Sequence, residues 1–374
     1  MIEIKGRIVF LDYLRIFAFL SVLIGHEFSG NIAALSGDQS LHITLRCLAD
    51  ILTPFYIGGA AGVVVFFLIS GYIITHVLRT EKPVEFLIKR AFRIYPLFIV
   101  AILLEEFLGF IVNGAPLSPF SIFIPRLLLI GDFFGTPLAL AGVEWTLRVE
   151  ILFYLFMAGM KAIGLFRKSD WLPLLLLVIS MTLYALPKVP NSLHWNYGYF
   201  NLYTPFLFMG TCIYLAETKM AKKTTCIVSV AVMFLFFLHL ISEIQPLWKE
   251  THYAVLALIL FLSLLSIKNT IKDFTAVRFL SSITYSVYLF HKFLWDYLLL
   301  IINKINFSLM PINFQVLSSL LLFCYLAHRT IERYGIKLGQ RMASYYREWI
   351  RSSYGQSSQD HFLVCQDKPG ASNG

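Results

Sequence analysis

A chain of 374 residues that is 58% hydrophobic and 14% charged, with 34 Phe and a mean hydropathy of +0.72, is not composed like a soluble domain. Soluble proteins carry roughly 25% charged residues, and a single core of this size cannot hide so much apolar surface. The net charge of +9 would suit a nucleic-acid partner, but its placement along the chain argues otherwise.

A helical membrane span needs about 20 mostly apolar residues. Such windows recur at 11–29, 53–78, 94–112, 149–166, 171–187, 200–217, 224–242, 252–267, 279–302 and 313–331. They predict an all-α membrane protein, a bundle of about ten transmembrane helices. A membrane β-barrel would show alternating segments of about ten residues instead. The first run is interrupted by Asp12 and Arg15, has no small-residue cleavage site and is followed by another span, so it reads as a retained helix rather than a signal peptide. Gly58-x-x-x-Gly62 reads as a close-packing site. The longest connection, 113–145, carries four prolines and an apolar piece, 121–130, too short to span and read as re-entrant or interfacial. The predicted division is a transmembrane domain over 1–344 and a polar, disordered tail over 345–374.

With the N-terminus in the cytoplasm, 23 Lys and Arg fall on the inner side and 6 on the outer. That asymmetry is the positive-inside pattern, and it predicts that both termini are cytoplasmic. The basic excess is then a topology signal, and no nucleic-acid partner is expected. The five Cys show no CxxC or paired spacing, so neither a disulfide framework nor a zinc site is predicted. His76, His239 and His328 lack a second ligand at metal spacing, and no metal is expected.

Ionisable residues inside spans are costly, so each asks for a reason. Arg15 and His26 are eleven residues apart, about 20° from one helix face and about 16.5 Å along the axis, with Asp12 within about 40°. One stripe would carry a cation at one end and an imidazole at the other. The alternative is a local Asp12–Arg15 pair with His26 at the interface, and spacing leaves both open. Arg90 and Arg93 sit on neighbouring helical positions, where guanidinium forks suit a phosphorylated ligand and equally suit an anionic lipid surface. Glu150 near a helix start fits either a cap, a pair with Arg148 or a carboxylate in proton work. The ninth window carries Ser281, Tyr285, Ser286, Tyr288 and His291. His291 near mid-membrane is either a functional group or a neutral, satisfied core histidine. The run His194-Trp195-Asn196-Tyr197-Gly198-Tyr199 reads as an interfacial aromatic belt or as part of an acceptor region.

Five pieces in order, Arg15-x₁₀-His26, Phe66-Phe67-Leu68-Ile69-Ser70-Gly71-Tyr72, Arg90-x-x-Arg93, Trp145-Thr146-Leu147-x-x-Glu150 and Tyr285-Ser286-x-Tyr288-Leu289-x-His291, resemble the acyltransferase-3 family of integral membrane acyltransferases. The resemblance covers about 10–335. It departs at Ile331-Glu332-Arg333-Tyr334, where relatives often have proline after the Glu-Arg pair. It also departs in lacking an SGNH-type esterase domain after the last span. It implies ten spans and transfer of an acyl group, often acetyl from acetyl-CoA, to a hydroxyl of an extracytoplasmic glycan or glycolipid. The expected location is a bacterial inner membrane, with lipid and a lipid-linked saccharide as partners.

On that basis the expected catalytic residues are His26, Glu150 and Arg15, with Arg90, Arg93, Ser70, Tyr288 and His291 on the acyl-CoA donor side. Histidine is the natural base near neutral pH, and a carboxylate from another helix, Glu150, would orient it. Ser70 is the alternative carrier of a covalent acyl group. A secondary transporter is the competing class, but it would show inverted repeats and paired broken helices, which the sequence lacks.

Overall fold

The computed structural model describes residues 7–366 apart from 168, 192–196, 250–251 and 306–309. The described residues form helices and no strands. In chain order these are α1 (Val9–Glu27), α2 (Ser29–Gly37), α3 (Ile43–Tyr56), α4 (Ala60–Leu78), α5 (Pro83–Asn113), α6 (Phe120–Leu127), α7 (Trp145–Ala162) and α8 (Leu172–Ala185). There follow α9 (Tyr199–Glu217), α10 (Lys223–Ile244), α11 (Pro246–Lys249), α12 (Tyr253–Ser266), α13 (Thr275–Phe290), α14 (Phe293–Ile305), α15 (Ile312–Ala327) and α16 (Arg333–Gln366).

Each of the ten apolar windows falls on a helix. By length and composition, five helical stretches among the described residues can cross a bilayer: α1, α3 with α4, α5, α10, and α15 with the start of α16. The count becomes six if α13 and α14 form one broken span. The window read as one helix over 279–302 is in fact these two, bent by 83°. Short apolar α8 and α12 accompany the longer helices.

Local chemistry sets the ends of these helices. Pro83 opens α5 at its first turn, where a missing N–H costs nothing. Gly114 closes it in the left-handed conformation, with Ala115 N–H donating to Gly109 O. Lys161 caps α4 from a neighbouring helix, its ammonium donating to Leu78 O and Glu81 O, the favoured charge at a helix C-terminus.

Helix α4 is the axis of the bundle. Its apolar stretch is 72% buried, against 28% for α5, whose outer face carries Leu103, Phe107 and Phe110. Small residues let its backbone approach two neighbours. A β-carbon at Gly71 would strike Leu207 O of α9, and one at Gly62 would strike Ala18 O of α1. Gly58, the other half of the spaced glycine pair, is not helical: it sits at φ 52° in the turn Ile57–Gly59 between α3 and α4.

The 113–145 connection is strapped to the end of α5. Glu106 accepts from Ser118 N–H at 3.0 Å, Ser118 Oγ at 2.6 Å and Arg126 at 2.9 Å, while Glu105 accepts from Ala141 N–H at 3.3 Å. Its apolar piece forms α6. Toward the C-terminus, α15 passes through a π-helical turn at His328–Glu332 and continues as α16, which packs on α5.

Candidate active site

Two cavities lie along α1 and α4, and they share Val22, Val63 and Tyr288 as walls. The first, of about 250 Å³, is lined by Arg15, Arg90 and Arg93 together with Ser70, Glu150 and Tyr154. The second, of about 550 Å³, is lined by His26, Lys292 and a set of aromatic rings. They are called here the cationic and the aromatic cavity.

The cationic cavity draws its groups from four helices. Arg15 on α1 pairs with Asp12 at 3.0 Å, so the local pair is real and Arg15 faces the cavity as well. Asp12 is itself held by Arg7 and by Ser281 Oγ at 2.6 Å, which ties α1 to α13. Arg90 lies over the Phe86 and Tyr154 rings, 5.4 and 5.9 Å from their centroids, a favourable place for a guanidinium. Arg93, one turn on, is exposed and marks where the cavity opens.

Glu150 is not at the helix start. Helix α7 opens at Trp145, and the carboxylate at its N-terminus is Glu144, which accepts from Ala139 N–H at 2.7 Å and pairs with Arg148 at 3.0 Å. Glu150 stands more than a turn further in, 6% exposed. A carboxylate buried so far needs hydrogen bonds to persist. It receives Ser70 Oγ–H at 2.7 Å and Tyr154 O–H at 2.5 Å on one oxygen, with Arg90 and Arg93 nearby.

The aromatic cavity is lined by His26, with His291 buried behind it. His26 and His291 stack with ring centroids 5.0 Å apart, and His26 Nδ1 lies 2.9 Å from His291 Nε2. His291 Nδ1 lies 2.8 Å from Tyr288 O. A carbonyl only accepts, so Nδ1 of a neutral His291 carries the proton and its Nε2 accepts from His26 Nδ1–H. Nε2 is the His26 nitrogen that faces away from His291. The break between α13 and α14 makes this contact, because His291 caps α13 just before the chain turns by 83°.

Tyr288 divides the two spaces. Its hydroxyl donates to Val143 O at 2.7 Å and accepts from Thr146 Oγ at 2.5 Å, and its ring stacks on Phe66.

The structure therefore groups Arg15, Arg90, Arg93, Ser70 and Glu150 on one side and His26 with His291 on the other. It does not bring Glu150 to His26. The two line different cavities and share no hydrogen bond, so the partner of His26 is His291 instead. Arg148 pairs with Glu144 rather than with Glu150. His194, Trp195 and Asn196 lie outside the described residues, while Tyr197 and Tyr199 line the aromatic cavity.

Two groups escaped sequence reasoning. Tyr154, four residues after Glu150, was a visible i, i+4 partner. Glu332, 2% exposed, accepts from Ser286 Oγ at 3.1 Å and bonds His328 Nδ1 at 2.9 Å, and nothing in its local sequence signals the contact with α13.

Fold and site define a helical protein of membrane type, with a cationic cavity and an imidazole pair separated by one tyrosine. The profile of a family described as an acyltransferase domain matches residues 8–329, and the chain belongs to that family, acyltransferase-3. Over 185 residues it is 30% identical to a protein named O-acetyl transferase from Shigella phage Sf6, covering 46% of this chain and 51% of that one. Over 271 residues it is 27% identical to nodulation protein 10 of Rhizobium leguminosarum bv. viciae, covering 65% of each. Over 125 residues it is 36% identical to the exopolysaccharide production protein ExoZ of Rhizobium meliloti strain 1021, covering 30% of this chain and 36% of that one. The chain thus spans about half the length of the first relative and just under two thirds of the second. No solved structure matches it.

Proposed function

We propose that this protein is a membrane O-acyltransferase that moves an acyl group, acetyl in the simplest case, from cytosolic acyl-CoA to a hydroxyl of an extracytoplasmic glycan or glycolipid. The observation that carries the reading is the pair of cavities meeting at Tyr288, with three guanidiniums in one and His26 in the other. The names of the phage O-acetyl transferase and of ExoZ support the same class.

In this reading the chain sits in a bacterial inner membrane with ten spans and both termini inside. Arg90 and Arg93 then lie at the cytoplasmic interface and take the phosphates of the donor, as forked guanidiniums do. The cationic cavity is narrow enough for an extended pantetheine arm, while the nucleotide remains at its mouth. Arg15 and the Ser70–Glu150–Tyr154 cluster line the path of the arm. The acceptor reaches His26 from the other side. His26 Nε2 takes the proton of the sugar hydroxyl, whose oxygen attacks the thioester carbonyl carbon. The tetrahedral intermediate expels the CoA thiolate, and the proton passes from the imidazolium to that sulfur. His291 holds the His26 ring in the productive tautomer. General base catalysis of this kind contributes about 10² to 10⁴ in rate. Direct displacement requires no acyl-enzyme on Ser70 or a cysteine, and Ser70, whose hydroxyl donates to Glu150, is the alternative carrier.

The broken pair α13–α14 is the single feature that favours a solute transporter. Purified protein given labelled acetyl-CoA and cell-surface glycan separates the two: label appears in the glycan if this reading holds, and glycan left unlabelled at full protein recovery removes it. The topology has its own test. Cysteine placed at Lys222 labels from inside and at Asn191 from outside, and labelling of Lys222→Cys from outside overturns the ten-span arrangement.

A further inference from the structure

The aromatic cavity is larger than catalysis by a histidine pair requires, and beside the motif residues His26, Trp145 and Tyr288 its wall takes in Tyr197, Tyr199, Tyr203 and Trp248, which lie outside the motifs shared with the family. Trp145 on α7 touches Tyr199 and Tyr203 of α9, with ring centroids 4.8 and 5.2 Å away. A second indole, Trp248 on α11, lines the same space. The outer rim of its six-membered ring sits against Gly58, where any β-carbon would run into it, and it meets the Tyr253 ring edge-on at 6.1 Å. Gly58 lines this cavity together with His26, so the indole it accommodates stands on the same wall as the imidazole.

The polar content of the lining is sparse. Among the described lining residues the one permanent charge is the Lys292 ammonium, balanced by Glu27 at 3.4 Å. Gln245 and the tyrosine hydroxyls supply the neutral polar atoms. A volume of about 550 Å³ lies within the span of small-molecule sites, which are walled by aromatic rings with a few placed polar groups. Flat π faces attract the polarised C–H edges of a ring, and hydroxyl groups pair with the few polar atoms. A ligand with an apolar face, a hydroxyl rim and no net charge fits that lining, and a hexopyranose has all three.

We propose that this cavity is the acceptor subsite, and that it takes an uncharged hexopyranose ring stacked on Trp248 so that one hydroxyl meets His26. The proposal rests on the O-acyltransferase reading for the role of the site, and it is tested without turnover. The purified full chain, in a detergent without sugar, is mixed with methyl gluco-, galacto- or mannopyranoside, and transfer of saturation to the ring protons is measured by NMR. Wild type saturates the ring C–H protons of at least one of the three. Trp248→Ala lowers that signal at least fivefold and Trp248→Phe restores most of it, while acetyl-CoA affinity measured by calorimetry stays the same and shows that the fold is intact. No saturation by wild type with any of the three, or equal saturation in Trp248→Ala, overturns the subsite. Sugar binding in a protein that transfers no acyl group would leave the subsite standing and remove the transferase.

Discussion

The two cavities differ in what they are made of and in how they hold it. The cationic cavity is smaller, about 250 against 550 Å³, and its polar groups are committed to one another: Asp12 to Arg15 and Ser281, Glu150 to Ser70 and Tyr154. The aromatic cavity has ring walls and the His26–His291 imidazole pair. A bilayer penalises both designs, but differently. Buried charge survives only when paired, so the first cavity is a network in which each residue supports the next. A neutral imidazole pair costs far less, which leaves the second cavity free to be shaped for a ligand. The lesson is that charge density on one side and ring surface on the other make two chemically distinct sites, which the proposed function assigns to donor and acceptor.

The largest expected effect breaks the aromatic side alone. His26→Ala lowers glycan acylation by about 10² to 10⁴, with acyl-CoA affinity unchanged in a dissociation assay. Full acylation by a well-inserted His26→Ala protein would pass the role of base to His291. Next, Glu150→Gln keeps the shape but loses the charged acceptor of two hydrogen bonds. Such bonds are worth about 1.5–3 kcal/mol, so transfer falls about 10- to 100-fold. Because Glu150 lines the cationic cavity and His291 bonds the His26 of the aromatic one, the losses in Glu150→Gln and His291→Ala multiply when combined, whereas His291→Ala adds nothing to His26→Ala. Coupling between Glu150 and His291 in the combined variant would merge the two sites into one. The smallest effect sharpens the donor side. Arg90→Lys and Arg93→Lys keep charge and lose the fork, and each weakens acyl-CoA binding about five- to tenfold, or about 1–1.4 kcal/mol. Equal affinity in both would return the pair to the role of membrane anchors.

How far each region was legible in the sequence follows from the range of its forces. The stripe on α1 is set by helical period alone, so Arg15 and His26 were expected on one face, and they do line adjoining cavities. The apolar windows all fell on helices because hydropathy is a local property. The break at His291 was hidden because 279–302 is long enough to span and contains neither glycine nor proline. At the bend the chain is held by tertiary contacts, His291 to His26 and the Tyr288 hydroxyl to Val143 O. Glu150 was placed at a helix end because Trp145 was read as preceding the helix. With Trp145 as its first residue, Glu144 takes the cap and Glu150 moves inward to meet Ser70. Pairings across 80 residues, as for Ser70 and Glu150, or 265, as for His26 and His291, are tertiary facts that no local spacing carries.

The central claim, that donor and acceptor enter from opposite faces and meet between these cavities, is tested most directly in sealed vesicles of the two orientations. Labelled acetyl-CoA, which does not cross the bilayer, is added outside vesicles that carry the glycan on the extracytoplasmic leaflet. Inverted vesicles, with Arg90 and Arg93 facing the medium, should transfer label to the enclosed glycan, and right-side-out vesicles should transfer none until they are permeabilised. Equal transfer by intact right-side-out vesicles would place both substrates on one face and contradict the account.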